Sequence, residues 1–263
     1  MMASPAPVPP DPAAPPRIAV VDLDMAYGGF VLQRNLSFTV RPAEIFVVMG
    51  GSGCGKSTLL RHLVGLKAPA RGDVLYDGAS LWTAEPAERE EMMRRVGVVY
   101  QGNALWSSLT LSENVALLLE EFTDLGDREI RDAAALKLAL VGLAGFEDFY
   151  PSEVSGGMEK RAALARALAL DPEILFLDEP STGLDPVSAR LLDDLILDLR
   201  DGLGTTVVVV THDLASIQAI GDNSVFLDPE TKTMIAHGHP KALLADPPNP
   251  QVRAFLTREP VAR

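Results

Sequence analysis

The sequence has few cysteines, few aromatic residues and a shortage of basic residues. Cys54 is the single cysteine, so no disulfide can form within one chain, which fits a reducing compartment such as the cytoplasm. The 36 acidic residues outnumber the 23 lysines and arginines, and the net charge is -13. Because duplex-binding proteins neutralise phosphates with a broad basic surface, this balance argues against a nucleic-acid partner and leaves room only for a local basic pocket.

Targeting and membrane-spanning patterns are also missing. Residues 1–16, MMASPAPVPPDPAAPP, have neither the basic start nor the apolar centre of a secretory signal, and their composition predicts a disordered or polyproline-like tail. No uncharged apolar run approaches the roughly 20 residues that cross a bilayer. If the protein works at a membrane, another chain must supply the span.

The sequence does have ample apolar residues, 47% of 263, in a pattern that predicts an α/β fold. Short apolar runs recur, each followed by a turn and a helical pattern. They are IAVVDL from Ile18, IFVVMG from Ile45, VGVVYQ from Val96, ILFLDE from Ile174 and TTVVVVTHD from Thr205. Runs of this kind are typical of buried parallel strands joined by helices.

The strand pattern disappears between Gln101 and Ser155. Three helical patterns replace it, at roughly 111–122, 127–141 and 156–170, and they predict a helical subdomain at about 101–165 inserted into the α/β core. After Gly238, two short helices separated by ADPPNP are expected, which gives a helical tail at about 239–263.

The most specific motif is GGSGCGKST, which matches G-x-x-x-x-G-K-[ST] between a predicted strand and a predicted helix. The predicted nucleotide loop consists of Gly50, Gly51, Ser52, Gly53, Cys54, Gly55, Lys56, Ser57 and Thr58. Its glycines let backbone N–H groups surround a β-phosphate, and the helix N-terminus adds its positive dipole end. Lys56 is expected to reach the β- and γ-phosphates and Ser57 to ligate Mg²⁺, whereas Cys54 fills an unspecified position and is not a nucleophile.

Two adjacent acids end the apolar run ILFLDEP, Ile174–Pro180. The alternation of a strand points neighbouring side chains in different directions. Asp178 is expected to hold Mg²⁺ through water, and Glu179 to polarise the attacking water as a general base. Together with the glycine loop, these acids predict a site that hydrolyses a nucleoside triphosphate.

From about Arg17 onward, the chain resembles the ATP-binding cassette (ABC) ATPases. Besides the two motifs above, it has that family's parts in order. They are YQ at Tyr100–Gln101, SGG at Ser155–Gly157, STGLD at Ser181–Asp185 and TH at Thr211–His212. The resemblance implies a P-loop NTPase (RecA-like) core with a mainly parallel sheet, N-terminal antiparallel strands, an inserted helical subdomain, and ATP with Mg²⁺ as ligands.

The resemblance also implies a homodimer. In this family two cassettes face head to tail, and each ATP lies between the glycine loop of one and the SGG segment of the other. Ser155, Gly156 and Gly157 are therefore expected to bind the γ-phosphate of the ATP held by a second copy. Such close approach needs backbone donors and a hydroxyl without intervening side chains.

Four more residues take roles from the resemblance. Gln101 is similar to the glutamine that touches Mg²⁺ and water, and the residues after it are expected to face a membrane partner. His212 corresponds to the histidine that contacts the γ-phosphate and helps to hold Glu179. Asp185 corresponds to an aspartate that crosses the dimer interface. Tyr27 matches the aromatic that stacks on adenine, and Phe30 lies nearby in the same loop.

The segment around SGG departs from the commonest family pattern, Leu-Ser-Gly-Gly-Gln. Val154 and Met158 replace the leucine and the glutamine, so one amide near the ribose or the dimer seam is missing. The variant SGGMEKRAALARALALDP and the C-terminal stretch Ile235–Leu256 are similar to the ATPases of Mla-type and related MCE lipid transporters. This likeness implies an ATPase at the cytoplasmic face of the inner membrane, attached through an integral permease, with an MCE-domain protein and a small STAS-like subunit as further partners.

Other functions remain open on the sequence. They are an ABC importer ATPase for a small solute, a non-transport soluble ABC ATPase in DNA repair or translation, and a nucleotide-binding scaffold with slow turnover. Trp106 either docks the permease or is a buried core aromatic. Lys160 and Arg161 either favour phosphate binding electrostatically or pair with nearby acidic residues. The histidines other than His212, such as His62, are expected to have structural or surface roles.

Overall fold

A computed structural model describes residues 15–258. The predicted N-terminal tail lies almost wholly outside this range, as do the last five residues of the predicted helical tail. Within residues 15–258, no helix combines the length and the apolarity that crossing a bilayer requires.

Ten strands form two sheets. The strands are β1 (Ile18–Tyr27), β2 (Phe30–Val40), β3 (Ile45–Gly50), β4 (Arg71–Tyr76), β5 (Ala79–Ser80), β6 (Val96–Val99), β7 (Ile174–Asp178), β8 (Thr206–Val210), β9 (Asn223–Asp228) and β10 (Thr233–Gly238). The main sheet has the order β10-β9-β3-β8-β7-β6, and the smaller sheet has the order β2-β1-β4-β5.

The main sheet is parallel except at one edge. Strands β6, β7, β8, β3 and β9 pair in parallel, and β10 pairs antiparallel with β9. Every residue of β3, β7 and β8 is buried, because both faces of these strands are covered. The carboxyl ends of parallel strands meet at one sheet edge, so the loops that follow Gly50, Val99, Asp178 and Val210 come together there.

Strand pairing in the smaller sheet shows that the parallel pairing predicted for the run from Ile18 is wrong. The run from Ile18 matches the pattern of a buried parallel strand, but β1 pairs antiparallel with both β2 and β4. Its residues Ile18, Val20, Leu23 and Met25 are buried, whereas Val21 is exposed, because only one face of this sheet packs on the core. The antiparallel N-terminal strands implied by the family resemblance are confirmed.

Nine α-helices connect and cover the sheets in the described part of the chain. They are α1 (Lys56–Leu63), α2 (Pro86–Arg94), α3 (Leu111–Phe122), α4 (Asp127–Leu140), α5 (Gly156–Ala167), α6 (Pro186–Leu203), α7 (Leu214–Ile220), α8 (Pro240–Ala245) and α9 (Pro250–Thr257). A short 3₁₀ turn, Pro151–Glu153, precedes α5.

Alternating residues of the central strands contribute to two core layers. Val208 and Val210 of β8 pack with the smaller sheet and α1, whereas Val207 and Val209 pack with the helices on the opposite face. The layer that contains Val207 and Val209 also contains residues of α3, α4 and α5, and these three helices contact one another. These three helices start at the residues where the helical patterns start, and α4 and α5 end one and three residues earlier than predicted.

The loop that enters α3 is tied to that helix by its own side chains. Thr110 and Glu113 form a reciprocal capping box, in which each side chain accepts the other's backbone N–H. The buried amide of Asn114 accepts from Trp106 N at 2.7 Å and donates to the carbonyls of Trp106, Leu109 and Thr110. The segment 106–110 therefore has a fixed path on the surface of the helical subdomain.

Candidate active site

The loop between β3 and α1 depends on glycine at the positions where the backbone is left-handed or crowded. Gly50 has a φ of 146°, and a Cβ added there would lie 2.4 Å from the backbone oxygen of Leu227. Gly55 has a φ of 101°, and its Cβ would meet the side chain of Leu32 at 2.9 Å. By contrast, a Cβ at Gly51 or Gly53 would meet nothing within 4 Å. The loop is thus packed against the protein on one side and open on the other.

The open side of the loop faces a cavity of about 810 Å³. The lining includes all of the residues from 50 to 58 except Cys54, together with Gln101, Glu179 and His212. The structure therefore brings together most of the predicted site residues of the core. It adds Leu32, Leu214, Phe255 and Arg258, which the sequence did not single out.

Lys56 and Ser57 begin α1 at the bottom of this cavity. The Nζ atom of Lys56 donates to the carbonyls of Gly50 at 2.9 Å and Gly51 at 3.2 Å, so the ammonium group folds back over the loop. The Oγ atom of Ser57 donates to Oδ1 of Asp178 at 3.2 Å. The first turn of α1 contains no acidic residue, so its unpaired N–H groups and its dipole are available to an anion.

Ser57 and Asp178 form an oxygen-rich pair that suits a hard cation. Asp178 is buried, which raises the pKa of its carboxyl, while the hydrogen bond from Ser57 opposes that rise. No group of three or more His, Cys, Asp or Glu side chains able to hold a metal occurs within residues 15–258. A hydroxyl and one carboxylate fit Mg²⁺, which keeps waters and phosphate oxygens as its other ligands.

Three contacts hold Glu179, one through its backbone N–H and two through its carboxylate oxygens. It has a left-handed φ of 52°, and its backbone N–H donates to Val210 O at 2.8 Å. The Nδ1 atom of His212 lies 2.8 Å from Oε1 of Glu179, and Thr182 Oγ1 donates to Oε2 at 3.2 Å. Thr182 follows Glu179 by only three residues, but the sequence assigned it no role. The carboxylate is buried while the His212 side chain is 64% exposed, so the imidazole reaches from solvent towards the acid.

Tyr27 and Cys54 are not brought to the cavity. The ring of Tyr27 is 46% exposed, and Lys67 Nζ lies 3.4 Å above its centroid. A hydrogen bond to Thr58, which does line the cavity, lowers the pKa of Tyr27, so the ring lies just behind the lining. The Cys54 side chain is buried in the core, and burial raises the pKa of its thiol. The adenine contact predicted for Tyr27 stays a prediction.

The SGG segment lies outside the cavity of its own chain. Ser155 caps α5 by accepting from Met158 N at 3.3 Å, and both Ser155 and Gly156 are exposed. A Cβ on Gly157 would lie 3.4 Å from Ser188, whose hydroxyl donates to Asp185 at 2.5 Å. That hydrogen bond is the main reason why the pKa of Asp185 is lowered. The SGG segment and the start of α6 therefore form one exposed surface.

Three residues that the sequence left open are now placed. Trp106 is 62% exposed, so the alternative of a buried core aromatic is wrong. Arg161 Nη1 donates to the carbonyls of Val141 and Gly142 at the end of α4, an arrangement that neither alternative included. Lys160 is buried, and this burial lowers the pKa of its ammonium group.

Comparison with known proteins gives relatives across most of the chain. The model of the ABC transporter family matches residues 33–182. The probable ribonucleotide transport ATP-binding protein mkl of Mycobacterium tuberculosis is 40% identical over 91% of this chain, which spans 66% of that relative's length. The intermembrane phospholipid transport system ATP-binding protein MlaF of Escherichia coli is 39% identical over 89% of this chain and 86% of its own.

Solved structures give the same assignment of fold. The structure of cbiO1 from Clostridium perfringens, described as part of the ABC transporter complex cbiONQ, has a TM-score of 0.81 and 27% identity, covering 89% of this chain and 92% of its own. A dimeric post-hydrolysis state of the ATP-binding cassette MJ0796, bound to ADP and Pi, has a TM-score of 0.75 and 29% identity, covering 84% and 97%.

Proposed function

Because the chain belongs to the ABC transporter family of ATP-binding proteins, we propose that it is the ATP-hydrolysing subunit of a bacterial envelope transporter for phospholipid or another hydrophobic substrate. The observation that carries the hydrolytic part is the convergence of the glycine loop, the Ser57–Asp178 pair and the Glu179–His212 pair on one cavity. An anion cradle, an oxygen pair and a positioned carboxylate are what triphosphate hydrolysis needs.

The glycine loop and Lys56 bind the phosphates in this proposal. The open side of the loop offers backbone N–H groups at the start of α1, where the helix dipole favours negative charge. Lys56 exchanges the carbonyls of Gly50 and Gly51 for phosphate oxygens. Ser57 and Asp178 would hold Mg²⁺, which would neutralise phosphate charge, and Gln101 on the cavity wall would be a further contact of the metal.

Glu179 acts on the water that attacks the γ-phosphate. The contacts of Thr182 and His212 fix both carboxylate oxygens, so the base is orientated before the nucleotide arrives. With Nδ1 of His212 turned towards Glu179, a proton on the other ring nitrogen, Nε2, would let the ring donate to the γ-phosphate as well. In this proposal the water lies between the Glu179 carboxylate and the γ-phosphate, so Glu179 both orients the water and accepts its proton.

Dimerisation completes the site. Ser155, Gly156 and Gly157 do not line the cavity of their own chain, and Ser155 and Gly156 are exposed at the N-terminus of α5, where backbone N–H groups can meet an anion although Glu159 lies in the same turn. We place them on the ATP of a second copy, with Asp185 beside them at the seam. The dimeric state of the related cassette MJ0796 supports this assembly.

The transport partners are proposed from the sequence likeness to Mla-type and MCE transport ATPases, and the relative named for phospholipid transport supports a lipid substrate. We place the chain at the cytoplasmic face of the inner membrane, bound to an integral permease and working with an MCE-domain protein and a small STAS-like subunit. The exposed side chain of Trp106, in the loop that begins at Gln101, is the contact proposed for the permease. The small-solute alternative is supported only by the name of the mkl relative.

The test of hydrolysis is the variant Glu179→Gln. We expect ATP turnover to fall by at least about 100-fold because the base is lost, whereas ATP-bound dimers accumulate and are detected by size-exclusion chromatography. Glu120→Gln, at an exposed position on α3, is the matched control and is expected to keep wild-type turnover. Normal hydrolysis by Glu179→Gln would remove this residue from its role.

The test of the transport partners is co-purification. The full chain is expressed with its neighbouring genes, and the complex is expected to contain a permease, an MCE-domain protein and bound phospholipid. A complex with a small-solute permease and no lipid would contradict the lipid assignment and leave the hydrolytic assignment intact.

A further inference from the structure

The loop that starts at Gln101 has an unfavourable local conformation, because Asn103 and Ala104 are both left-handed, with φ values of 56° and 55°. Consecutive non-glycine residues rarely adopt this region, since the Cβ atom crowds the backbone. The Oδ1 atom of Asn103 is also buried, with no hydrogen-bond partner among residues 15–258. Such a conformation persists only when the surroundings fix it.

Arg166, in the last turn of α5, holds Asn103 and Ala104 in this conformation. Its Nη1 donates to the carbonyl of Ala104 at 2.6 Å, and its Nη2 donates to the carbonyl of Asn103 at 3.0 Å. The planar guanidinium presents these two donors in a fixed fork, so it specifies the positions of both carbonyls at once. Arg166 is half-buried, and this burial lowers the pKa of its guanidinium; the two carbonyl oxygens replace part of the water that the charged group loses.

The position of Arg166 connects two functional segments. Helix α5 begins at Gly156 in the SGG segment, and its last turn grips the loop that carries Gln101 into the cavity. Because α5 starts in the SGG segment and its last turn is hydrogen-bonded to this loop, a shift of the SGG segment would displace the anchor of the loop. In the proposed dimer, the SGG segment serves the partner's ATP and Gln101 serves the chain's own.

We propose that Arg166 is a positioning residue that sets the place of Gln101 and links the two nucleotide sites of the dimer. This inference rests on the proposed function for its kinetic consequence, whereas the grip on the loop can be measured without nucleotide.

Arg161 provides a matched control on the same helix. Like Arg166, it donates to two successive backbone carbonyls, those of Val141 and Gly142, but these lie at the end of α4. Loss of Arg161 therefore removes a comparable structural contact without touching the loop after Gln101.

The first measurement is hydrogen exchange of the full chain without nucleotide. Arg166→Met is expected to speed amide exchange in residues 101–106 and to leave residues 141–143 unchanged, and Arg161→Met is expected to do the reverse. Arg166→Lys, which keeps the charge but not the fork, is expected to give an intermediate result and replaces Arg166→Met if that variant does not fold. Unchanged exchange in residues 101–106 would overturn the inference.

The second measurement is steady-state ATP hydrolysis. We expect Arg166→Met to lower kcat by about tenfold with KM for ATP within about twofold, because it misplaces Gln101 and leaves the phosphate cradle intact. In a Gln101→Ala background the same change is expected to have little further effect, and Arg161→Met is expected to stay within about twofold of wild type. Equal losses with and without Gln101, or from both arginines, would indicate a merely structural role.

The two proposals fail separately. A wild-type chain that does not hydrolyse ATP contradicts the proposed function, and the exchange data then decide by themselves whether Arg166 holds the loop. A wild-type chain that hydrolyses ATP normally while Arg166→Met has no kinetic effect contradicts only this inference.

Discussion

The glycine loop and the SGG segment both begin a helix with a bare backbone, but their surroundings differ. The glycine loop follows a fully buried strand and lines a cavity with Glu179 and His212. The SGG segment follows a short 3₁₀ turn, and its Ser155 and Gly156 are exposed away from that cavity. Within residues 15–258, the glycine loop thus lines the cavity of its own chain and the SGG segment does not, which is the difference that the proposed dimer explains.

Lys56→Ala is the change with the largest expected effect, because it removes the ammonium group from the start of α1, which lines the cavity. ATP binding is expected to be lost and turnover to fall by about 1,000-fold, measured by fluorescent-nucleotide titration and phosphate release. Lys241→Ala, at an exposed position on α8, is the control. Retained ATP affinity in Lys56→Ala would remove the difference between the two helix starts.

Ser155→Arg places a long side chain on the exposed helix start. Turnover is expected to fall by about 100-fold, since the arginine blocks close approach to the partner's γ-phosphate, but ATP binding by the monomer is expected to be kept. Ser152→Arg, three residues earlier and also exposed, is expected to remain active. Parallel loss of ATP binding would show that Ser155 serves its own chain.

A mixture of Lys56→Ala and Ser155→Arg tests directly whether the glycine loop and the SGG segment of different copies form one site. In a mixed dimer, one site combines both defects, while the other has an intact glycine loop and an intact SGG segment. When equal amounts of the two variants pair at random, about half of the dimers are mixed, and each mixed dimer has one intact site out of two. The mixture is therefore expected to regain about a quarter of the turnover of the same amount of wild-type protein. If mixtures remain inactive while pure wild type dimerises under the same conditions, the shared-site arrangement is wrong.

A change at Asp193, on α6, gives the smallest expected effect. It is buried on α6 and accepts from Ser216 Oγ on α7 at 3.0 Å, and burial raises the pKa of Asp193 to about 6. Because the folded pKa exceeds the unfolded value, the charged carboxylate destabilises the fold, and this cost grows as pH rises from about 4 to 6.

Asp193→Asn removes that cost and keeps an acceptor for Ser216. We expect the free energy of unfolding at pH 7.5 to rise by about 1–2 kcal/mol, after allowance for solvent screening, with no gain at pH 4. Urea unfolding at the two pH values measures this, and Asp194→Asn on the same helix is the control. An equal gain at both pH values would assign the effect to packing and not to charge.

The chain's sequence predicted the central strands well but missed several peripheral ones. Strands β3, β7 and β8 are continuous apolar runs, because they are covered on both faces. Strands β2 and β10 have mixed burial and ordinary polar residues, so no apolar run marks them. The run at Ile18 was assigned to the wrong kind of pairing, because a short apolar run does not specify which neighbours a strand meets.

The cavity-lining residues that belong to short motifs were predicted, and those that no motif marks were missed. The loop from Gly50 to Thr58 is a local motif whose glycines follow from local backbone geometry. Phe255 of α9 and Arg258, the residue that follows this helix, reach the same cavity about 200 residues later, and nothing in their own segment indicates this. Arg166 lies in a helix whose pattern predicts only packing, and its two carbonyl partners precede it by more than 60 residues.

By itself, the sequence determined which chemistry the chain carries. Phosphate binding and acid–base groups depend on short motifs at the ends of strands, and these motifs act through local backbone geometry. Only the tertiary structure decided which groups meet, because strand order in a sheet is set by pairing between distant segments. That order places His212 against Glu179 and Arg166 against the loop of Gln101, and it leaves Ser155 exposed outside the cavity of its own chain.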